Sequence, residues 1–191
     1  IIPDRIETGT FLIAGALTAS DFLLRNVVPE HTATVIEKLR ASGAIVETEG
    51  ENALRVAGSR EVKAQDITTS PYPGFPTDMQ AQFMVLLTQA AGTSIITETI
   101  FDRRFSHVNE LVRLGASIEV QGDKAVVKGK TLLSGAEVIA TDLRASAALV
   151  LAGLVAAGET TINEIEHLDR GYERIEEKLR GLGASIERVK A

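Results

Sequence analysis

Two stretches of the chain, Met79 to Ala91 and Leu143 to Ala157, carry apolar residues on nearly every helical face. This pattern is typical of a helix that is buried on all sides, because a helix at a protein surface keeps a polar stripe. We therefore predict interior helices that begin near Thr10, Thr77 and Thr141. Threonine is a preferred helix N-cap, and the glutamine three residues after Thr77 has capping-box spacing.

Two shorter stretches, Val108 to Leu114 and Ile175 to Leu182, place apolar residues on one stripe, as an amphipathic helix does. A Gly-Ala pair follows each of them, and a third Gly-Ala pair occurs earlier in the chain. Glycine readily takes the left-handed conformation found after the last turn of many helices. The sequence thus predicts three helix ends, at Gly43, Gly115 and Gly183.

These landmarks recur with a common period. The three glycines stand 72 and 68 positions apart. The threonines Thr8, Thr77 and Thr141, which open the apolar runs, stand 69 and 64 positions apart. Two landmarks that return in phase indicate three copies of one unit. We divide the chain approximately into residues 1–70, 71–134 and 135–191, all within a single domain.

The predicted order of elements inside one unit is helix, strand, helix, strand, strand. The last two strands are clearest at Ser117 to Val120 and Ala125 to Val127, which a short polar turn joins into a hairpin. One unit cannot cover its own apolar helix, so three units are expected to pack these helices together with their sheets outside. The predicted fold is α+β with pseudo-threefold symmetry. The alternative is an ordinary α/β domain whose repeats are coincidental.

Composition narrows the function classes. The formal net charge of −6 argues against nucleic acid as a partner, because phosphate binding needs a basic face. An anionic ligand must therefore meet local arginines. The chain has no cysteine, which excludes a disulfide, a thiolate nucleophile and a cysteine-based zinc site, and which fits a cytoplasmic location.

The pattern indicates neither a membrane span nor a metal site. The most apolar stretch, Ala145 to Ala157, is shorter than the roughly 18 to 20 residues that a span requires. The histidines lack the spacing of a zinc motif, so we interpret His31, His107 and His167 as structural or surface residues. The chain opens with Ile1 and shows no signal pattern, so we expect it to be a piece of a longer protein.

Four strings carry a family resemblance: Pro3 to Thr10, Pro76 to Gln82, Ala140 to Ser146 and Asp169 to Glu176. In this order and without gaps they resemble UDP-N-acetylglucosamine enolpyruvyl transferases, and the resemblance covers essentially the whole chain. It implies a protein of two lobes, each built from three βαβαββ-type repeats, with substrates bound between the lobes. This chain is similar to the lobe that lies mostly in the C-terminal half.

The resemblance also implies which parts lie elsewhere. The other lobe of the family supplies a mobile loop with a Cys or Asp general acid, a phosphate-binding lysine and further arginines. A short N-terminal strand usually joins the lobe that this chain resembles. We expect all of these to be missing from the chain, so the isolated chain is expected to be inactive.

Asp78 is the first candidate site residue. By resemblance it contacts the 3′-hydroxyl of the acceptor sugar and accepts its proton as the C–O bond begins to form. This chemistry needs a base within hydrogen-bond reach of the hydroxyl. The structural alternative is an acid in the first turn of a helix, where the helix dipole favours a negative charge.

Arginines form the second candidate set. Phosphoenolpyruvate carries a phosphate and a carboxylate, and planar guanidinium groups bind both in bidentate fashion. By resemblance Arg170 reaches phosphoenolpyruvate, Arg104 and Arg144 help to hold the cleft closed, and Arg5 contributes to substrate binding. The alternative for any one arginine is a solvated surface charge. Arg144 departs from that alternative most clearly, because it opens an otherwise apolar helix.

Asp142 and Ile100 complete the candidate site. Asp142 stands at a helix start one repeat after Asp78, and it either handles a proton or orients Arg144. Ile100 stands where the family makes a backbone contact to the nucleotide sugar, although its side chain alone would indicate only core packing.

The resemblance implies that the intact enzyme joins the 3′-oxygen of UDP-N-acetylglucosamine to C2 of phosphoenolpyruvate and then expels phosphate. This reaction belongs to peptidoglycan precursor synthesis and hence to cell wall biogenesis, and no cofactor or metal is expected. Two alternatives stay open. The chain could be a lobe of the shikimate 3-phosphate enolpyruvyl transferase, or a non-catalytic scaffold or binding domain that shares the repeat.

Overall fold

The apolar stretches form helices at the centre of the molecule, in a computed structural model that describes residues 1–189. The helices are α1 Arg5–Leu17, α2 Ala33–Ala41, α3 Gln80–Thr88, α4 Val108–Arg113, α5 Leu143–Gly153, α6 Glu166–Asp169 and α7 Ile175–Gly181. Short 3₁₀ helices, Pro29–Thr32 and Thr77–Met79, precede α2 and α3. The strands are β1 Asp21–Arg25, β2 Ile45–Thr48, β3 Ala53–Ala57, β4 Val62–Lys63, β5 Ile67–Thr68, β6 Ala90–Thr97, β7 Ser117–Gln121, β8 Lys124–Gly129, β9 Glu137–Ile139 and β10 Thr161–Asn163. No helix in the described part of the chain is long and apolar enough to cross a bilayer.

Helices α1, α3 and α5 form the core. Every residue of α3 is buried, and α5 is buried from Ala145 to Ala152. Helix α3 packs against both α1 and α5. Helix α1 comes so close to the turn before α3 that a Cβ added at Gly9 would lie 2.9 Å from Met79 Cε. The predicted interior helices are confirmed, and their lack of a polar stripe follows from contacts on all sides.

Two of the sheets share one strand order. Strands β1, β3 and β2 pair antiparallel in that order, and β6, β8 and β7 do the same. The other edge of β6 carries the short parallel strands β4 and β5, and β9 pairs in parallel with β10. In two of these parallel pairs, β5–β6 and β9–β10, the strand directly before a core helix pairs with the strand after that helix. The predicted α+β fold is therefore confirmed, whereas the unit boundaries near residues 70 and 134 stay a prediction.

The third unit differs from the prediction after α7. Residues 184–189 form no strand, and within the described residues β10 pairs with β9 alone. In the second unit the corresponding hairpin is β7–β8, which β6 supports along one edge. The described part of the third unit, which extends only to residue 189, therefore shows no strand pair after α7.

The predicted threonine N-caps are also wrong. Asp4 caps α1 by accepting the Ile6 amide at 2.7 Å, so α1 begins five residues before Thr10. Asp142 caps α5 in the same way. A carboxylate at these positions reaches the free amides of the first turn. The hydroxyl of Thr77 instead donates to Glu98, as described below.

The predicted capping box in the second unit does not form. Gln80 would complete it, but its side-chain nitrogen and oxygen are both buried without a hydrogen-bond partner among the described residues. The chain before α3 forms a 3₁₀ turn, Thr77–Met79, rather than a capped α-helical turn.

The predicted helix ends are confirmed at all three glycines. Gly43, Gly115 and Gly183 have φ angles of 100°, 97° and 98°. After α2, the Ala44 amide donates to Leu39 O at 3.0 Å, and the glycine amide donates to the carbonyl three residues before it. This is the Schellman pattern, and the same two bonds follow α4 and α7.

Candidate active site

The carboxylate of Asp78 lies between two arginines. Arg104 Nη2 donates to Asp78 Oδ1 at 3.1 Å, and Arg144 Nη2 donates to Asp78 Oδ2 at 3.3 Å. Each guanidinium therefore holds one oxygen of the same carboxylate. The side chain of Asp78 is 38% exposed and that of Arg144 is 15% exposed, so the acid reaches solvent above a more sheltered arginine.

The three side chains come from three different elements. Asp78 lies in the 3₁₀ turn before α3, Arg144 is the second residue of α5, and Arg104 lies between β6 and α4. Helices α3 and α5 pack side by side, which brings their N-terminal ends together. A residue pattern spread over the second and third units thus becomes one cluster through the packing of the core helices.

Asp142 positions Arg144 through the backbone. Its Oδ1 accepts the amides of Arg144 at 2.8 Å and Ala145 at 2.9 Å, which caps α5. The carboxylate is therefore engaged in fixing the helix start from which Arg144 projects. These contacts favour the orienting role of Asp142 over the proton-handling role.

Tyr172 supports Arg144 from the other side. Its hydroxyl lies 3.4 Å from Arg144 Nη1, and the Arg144 guanidinium lies 5.9 Å from the centre of its ring. Tyr172 is only 1% exposed. The same hydroxyl lies 2.9 Å from Thr10 Oγ1 and 3.3 Å from Gln82 Nε2. A buried polar network therefore ties Arg144 to α1 and α3.

Two further arginines lie over aromatic rings. The Arg104 guanidinium is 5.2 Å from the centre of the Phe101 ring, and that of Arg5 is 4.9 Å from the centre of the Tyr72 ring. Both rings are exposed, at 52% for Phe101 and 59% for Tyr72. Such stacking holds a guanidinium in place without neutralising its charge.

The remaining predicted residues form no side-chain hydrogen bond or ion pair with Asp78, Arg104 or Arg144 in the described part of the chain. Ile100 is 36% exposed and lies on the loop that carries Phe101. Arg170 is exposed at the end of α6, two residues before Tyr172, and forms no side-chain hydrogen bond or ion pair within residues 1–189. Arg5 starts α1 and stacks only on Tyr72. The structure thus joins Asp78, Arg104 and Arg144 directly and Asp142 through the backbone, and among the described residues it shows no hydrogen bond or ion pair from Arg5, Ile100 or Arg170 to them.

Two buried polar residues near the cluster were not predicted. They are Tyr172 and Glu98, which is 5% exposed. Tyr172 lies within the string Asp169 to Glu176 that carried the resemblance, in the turn between α6 and α7. Nothing in the sequence around it distinguishes it from an ordinary core aromatic. No pattern marks Glu98, because its burial depends also on the hydroxyl donors Thr69 and Thr77, which only the fold brings to it.

His107 is buried at 2% exposure beside the cluster. Burial lowers the pKa of His107 from 6.5 to about 4; the charge of Asp142 opposes this shift, and the charge of Arg104 adds to it. Its Nε2 has no hydrogen-bond partner in the described part of the chain. The interpretation of His107 as structural fits its burial. The described residues contain no group of three or more potential metal ligands.

This arrangement suits a defined chemistry. A carboxylate that is held by two guanidinium groups and reaches solvent can accept a proton from a bound hydroxyl. The arginines around it can attract a phosphate or carboxylate. Fold and cluster together define a lobe that can hold an anionic substrate next to a hydroxyl group.

The chain belongs to the EPSP synthase (3-phosphoshikimate 1-carboxyvinyltransferase) family, whose model matches residues 1–179. It is 57% identical over 190 residues to a UDP-N-acetylglucosamine 1-carboxyvinyltransferase of Desulfatibacillum aliphaticivorans, with 100% of this chain and 45% of the relative covered. It is 61% identical over 190 residues to the protein of the same name from Anaeromyxobacter sp. (strain K), again covering 100% of this chain and 45% of the relative. The resemblance inferred from the four strings is thereby confirmed.

Solved structures agree with the fold. The enolpyruvyl transferase NikO from Streptomyces tendae superimposes with a TM-score of 0.87 at 31% identity, covering 98% of this chain and 44% of that protein. An EPSP synthase from Acinetobacter baumannii gives a TM-score of 0.75 at 17% identity, covering 97% of this chain and 44% of that protein. The chain therefore spans a little under half the length of the relatives that it matches.

Proposed function

We propose that this chain is one lobe of an enzyme that transfers the enolpyruvyl group of phosphoenolpyruvate to the 3′-hydroxyl of UDP-N-acetylglucosamine. The observation that carries the proposal is the Asp78 carboxylate held between Arg104 and Arg144. It occurs in a chain that is 57% and 61% identical to two carboxyvinyltransferases named for this acceptor. The product would serve peptidoglycan precursor synthesis and cell wall biogenesis.

Asp78 is the proposed base for the first step. Its carboxylate accepts the proton of the 3′-hydroxyl while that oxygen attacks C2 of phosphoenolpyruvate. C3 gains a proton from an acid on the second lobe, and a tetrahedral intermediate results. Loss of a proton from C3 and departure of phosphate from C2 then restore the C=C double bond. The two arginines keep the Asp78 carboxylate in place for the attack.

The arginines are proposed to provide the charge that this reaction needs. Arg170 is exposed and forms no ion pair in the described structure, so its guanidinium is available for the phosphate or carboxylate of phosphoenolpyruvate. Arg104 and Arg144 add positive charge next to the reacting hydroxyl, where fixed dipoles and charges contribute most to catalysis. Arg5 and the backbone at Ile100 are proposed to contact the nucleotide sugar at the edge of the site.

A second lobe is part of the proposal. The Asp78 cluster lies on an open face, with Asp78 38% exposed, so the substrates need another surface that closes over them and excludes water. The chain spans 45% of the relatives named above, which leaves room for such a lobe. Both substrates are phosphorylated metabolites, and we propose the cytoplasm as the location of the reaction.

The alternative acceptor is shikimate 3-phosphate. The family model carries the name of that reaction. The solved EPSP synthase is only 17% identical, however, while the UDP-N-acetylglucosamine carboxyvinyltransferases are 57% and 61% identical. Sequence similarity therefore favours the nucleotide sugar.

The acceptor is tested by phosphate release in the complete enzyme. Phosphoenolpyruvate is supplied with either UDP-N-acetylglucosamine or shikimate 3-phosphate, and the product is identified by its mass. We expect turnover with the nucleotide sugar only. Turnover with shikimate 3-phosphate would establish the alternative, and no turnover with either acceptor would favour a non-catalytic binding domain.

A further inference from the structure

Glu98 is a buried acid outside the predicted site, and its carboxylate is fully engaged. It accepts the Thr69 hydroxyl at 2.8 Å, the Ile100 amide at 2.9 Å and the Phe101 amide at 3.2 Å, all on Oε1. Its Oε2 accepts the Thr77 hydroxyl at 2.9 Å. Burying a charged group is costly unless several donors compensate it, and here four donors do so.

These four bonds connect two segments that carry candidate site residues. Thr77 directly precedes Asp78, and the amides of Ile100 and Phe101 belong to the loop that leads to Arg104. The same two segments are joined a second time by the Asp78–Arg104 ion pair at 3.1 Å. Glu98 and Arg104 thus form two neighbouring links between the start of α3 and the loop after β6.

The third unit shows that the fold does not require this arrangement. Glu98 follows the end of β6 and Glu164 follows the end of β10, and each strand pairs in parallel with a short strand before a core helix. Glu164 is nevertheless exposed, with a left-handed backbone at φ 57°. An acid at this place in the unit can therefore remain in solvent. Burial of Glu98 is specific to the unit that carries Asp78 and Arg104.

We propose that Glu98 is a positioning residue: through Thr77 and the amides of Ile100 and Phe101, it fixes the distance between Asp78 and the loop that carries Arg104 and Ile100. Glu98 does not touch a substrate in this proposal. This inference rests on the proposed function and extends it. It concerns how Asp78, the proposed base, is held at a fixed distance from the loop after β6, whose backbone at Ile100 is proposed to contact the nucleotide sugar.

The test uses variants that distinguish a change in the position of Asp78 and Arg104 from a general loss of stability of the fold. Thr77→Val removes one hydroxyl and breaks only the link to Glu98. Thr32→Val is the matched control, because Thr32 is buried at 2% and its hydroxyl also makes one hydrogen bond, to Pro29 O at 3.0 Å. Glu98→Gln keeps a carbonyl oxygen for the three donors on Oε1. The Thr77 hydroxyl can rotate so that its oxygen accepts a hydrogen bond from the new side-chain N–H. Glu98→Ala removes all four bonds. Glu164→Gln, at an exposed position, is the control for Glu98→Gln.

Two measurements are made on each variant of the complete enzyme. The first is kcat and KM for both substrates. The second is the NMR signals of the Arg104 side-chain Nε–H and the Asp78 amide without substrate, which report the ion pair whether or not the enzyme turns over. If the wild type turns over neither acceptor, the proposed function fails, while the NMR signals still decide the positioning claim.

We expect Thr77→Val to lower kcat about 10- to 100-fold, the range expected when reacting groups are misplaced by about 1 Å. Its Arg104 and Asp78 signals should shift, while Thr32→Val and Glu164→Gln should keep both wild-type kcat and wild-type signals. Glu98→Gln should retain kcat within about threefold, because its hydrogen bonds persist. The proposal is overturned if Thr77→Val behaves like Thr32→Val in both measurements, or if Glu98→Gln loses as much kcat as Glu98→Ala.

Discussion

At the scale of single residues, the important feature is one carboxylate shared by two guanidinium groups. Asp78 receives one arginine on each oxygen, and Arg144 is in turn held by Tyr172 and by the helix cap from Asp142. The sequence could single out Arg144, because an arginine that opens an apolar helix is conspicuous, whereas Asp78 was singled out by the family resemblance. It could not reveal Tyr172 or Glu98, since Tyr172 bonds to side chains far away in the chain and the two hydroxyl donors to Glu98, Thr69 and Thr77, are brought to it by the fold.

The role of Asp78 as base leads to a direct prediction. Asp78→Asn keeps the shape of the side chain but cannot accept the hydroxyl proton, so kcat of the complete enzyme should fall roughly 10²- to 10⁴-fold. The exposed Asp123→Asn, in the turn between β7 and β8, is the control and should leave kcat unchanged. Steady-state phosphate release measures both variants. Near-normal turnover by Asp78→Asn would remove Asp78 from this role.

His107 predicts a pH dependence of stability. Its pKa is about 4 in the folded protein and 6.5 when unperturbed, so the unfolded chain takes up the proton first as the pH falls. The free energy of unfolding should therefore decrease between pH 6.5 and pH 4, by up to about 3 kcal/mol from this residue, and its contribution should be constant above pH 6.5.

Urea denaturation across this pH range provides the measurement. His107→Gln should show a flatter dependence on pH, because glutamine does not titrate. Val108→Ala, which loses packing next to His107 but keeps the imidazole, is the control and should retain the wild-type slope. An unchanged slope in His107→Gln would show that other groups cause the pH dependence.

At the scale of elements, the sequence predicted what local rules determine. The three glycines after α2, α4 and α7 have the expected left-handed backbone, because this conformation depends on the residue itself. The helix starts were predicted less well: Asp4 and Asp142 act as caps where threonines were expected, and Thr77 bonds to Glu98. An N-cap can be predicted with certainty only when the other hydrogen-bond partners open to that side chain are known, and the tertiary fold supplies those partners.

The helix end after α4 gives a prediction about stability. Gly115→Ala places a Cβ on a backbone with φ 97° and should cost about 1 to 2 kcal/mol of unfolding free energy. Gly181→Ala is the control, because Gly181 lies in α7 and an added Cβ meets no atom within 4 Å. The control should be neutral or gain up to about 1 kcal/mol. Chemical denaturation measures both variants. Equal losses of unfolding free energy would contradict the assignment of Gly115 as the left-handed residue that ends α4.

At the scale of the whole molecule, three apolar helices form one core, and the Asp78 cluster lies where two of them begin. The repeat in the sequence was enough to predict this core, since a helix without a polar face must be covered by its neighbours. It was not enough to predict which residues converge on the open face. Arg170 and Arg5 form no hydrogen bond or ion pair with the cluster among residues 1–189. In the proposed function their charges bind the substrates once a second lobe closes over the site.

The most direct test of the account is phosphate release from phosphoenolpyruvate and UDP-N-acetylglucosamine, measured for this chain alone and for the chain joined to the second lobe. The account predicts no turnover by the chain alone, because its half-site is open to water and lacks the general acid. It predicts turnover once the second lobe is present. Full turnover by the isolated chain, or none with the second lobe in place, would contradict it.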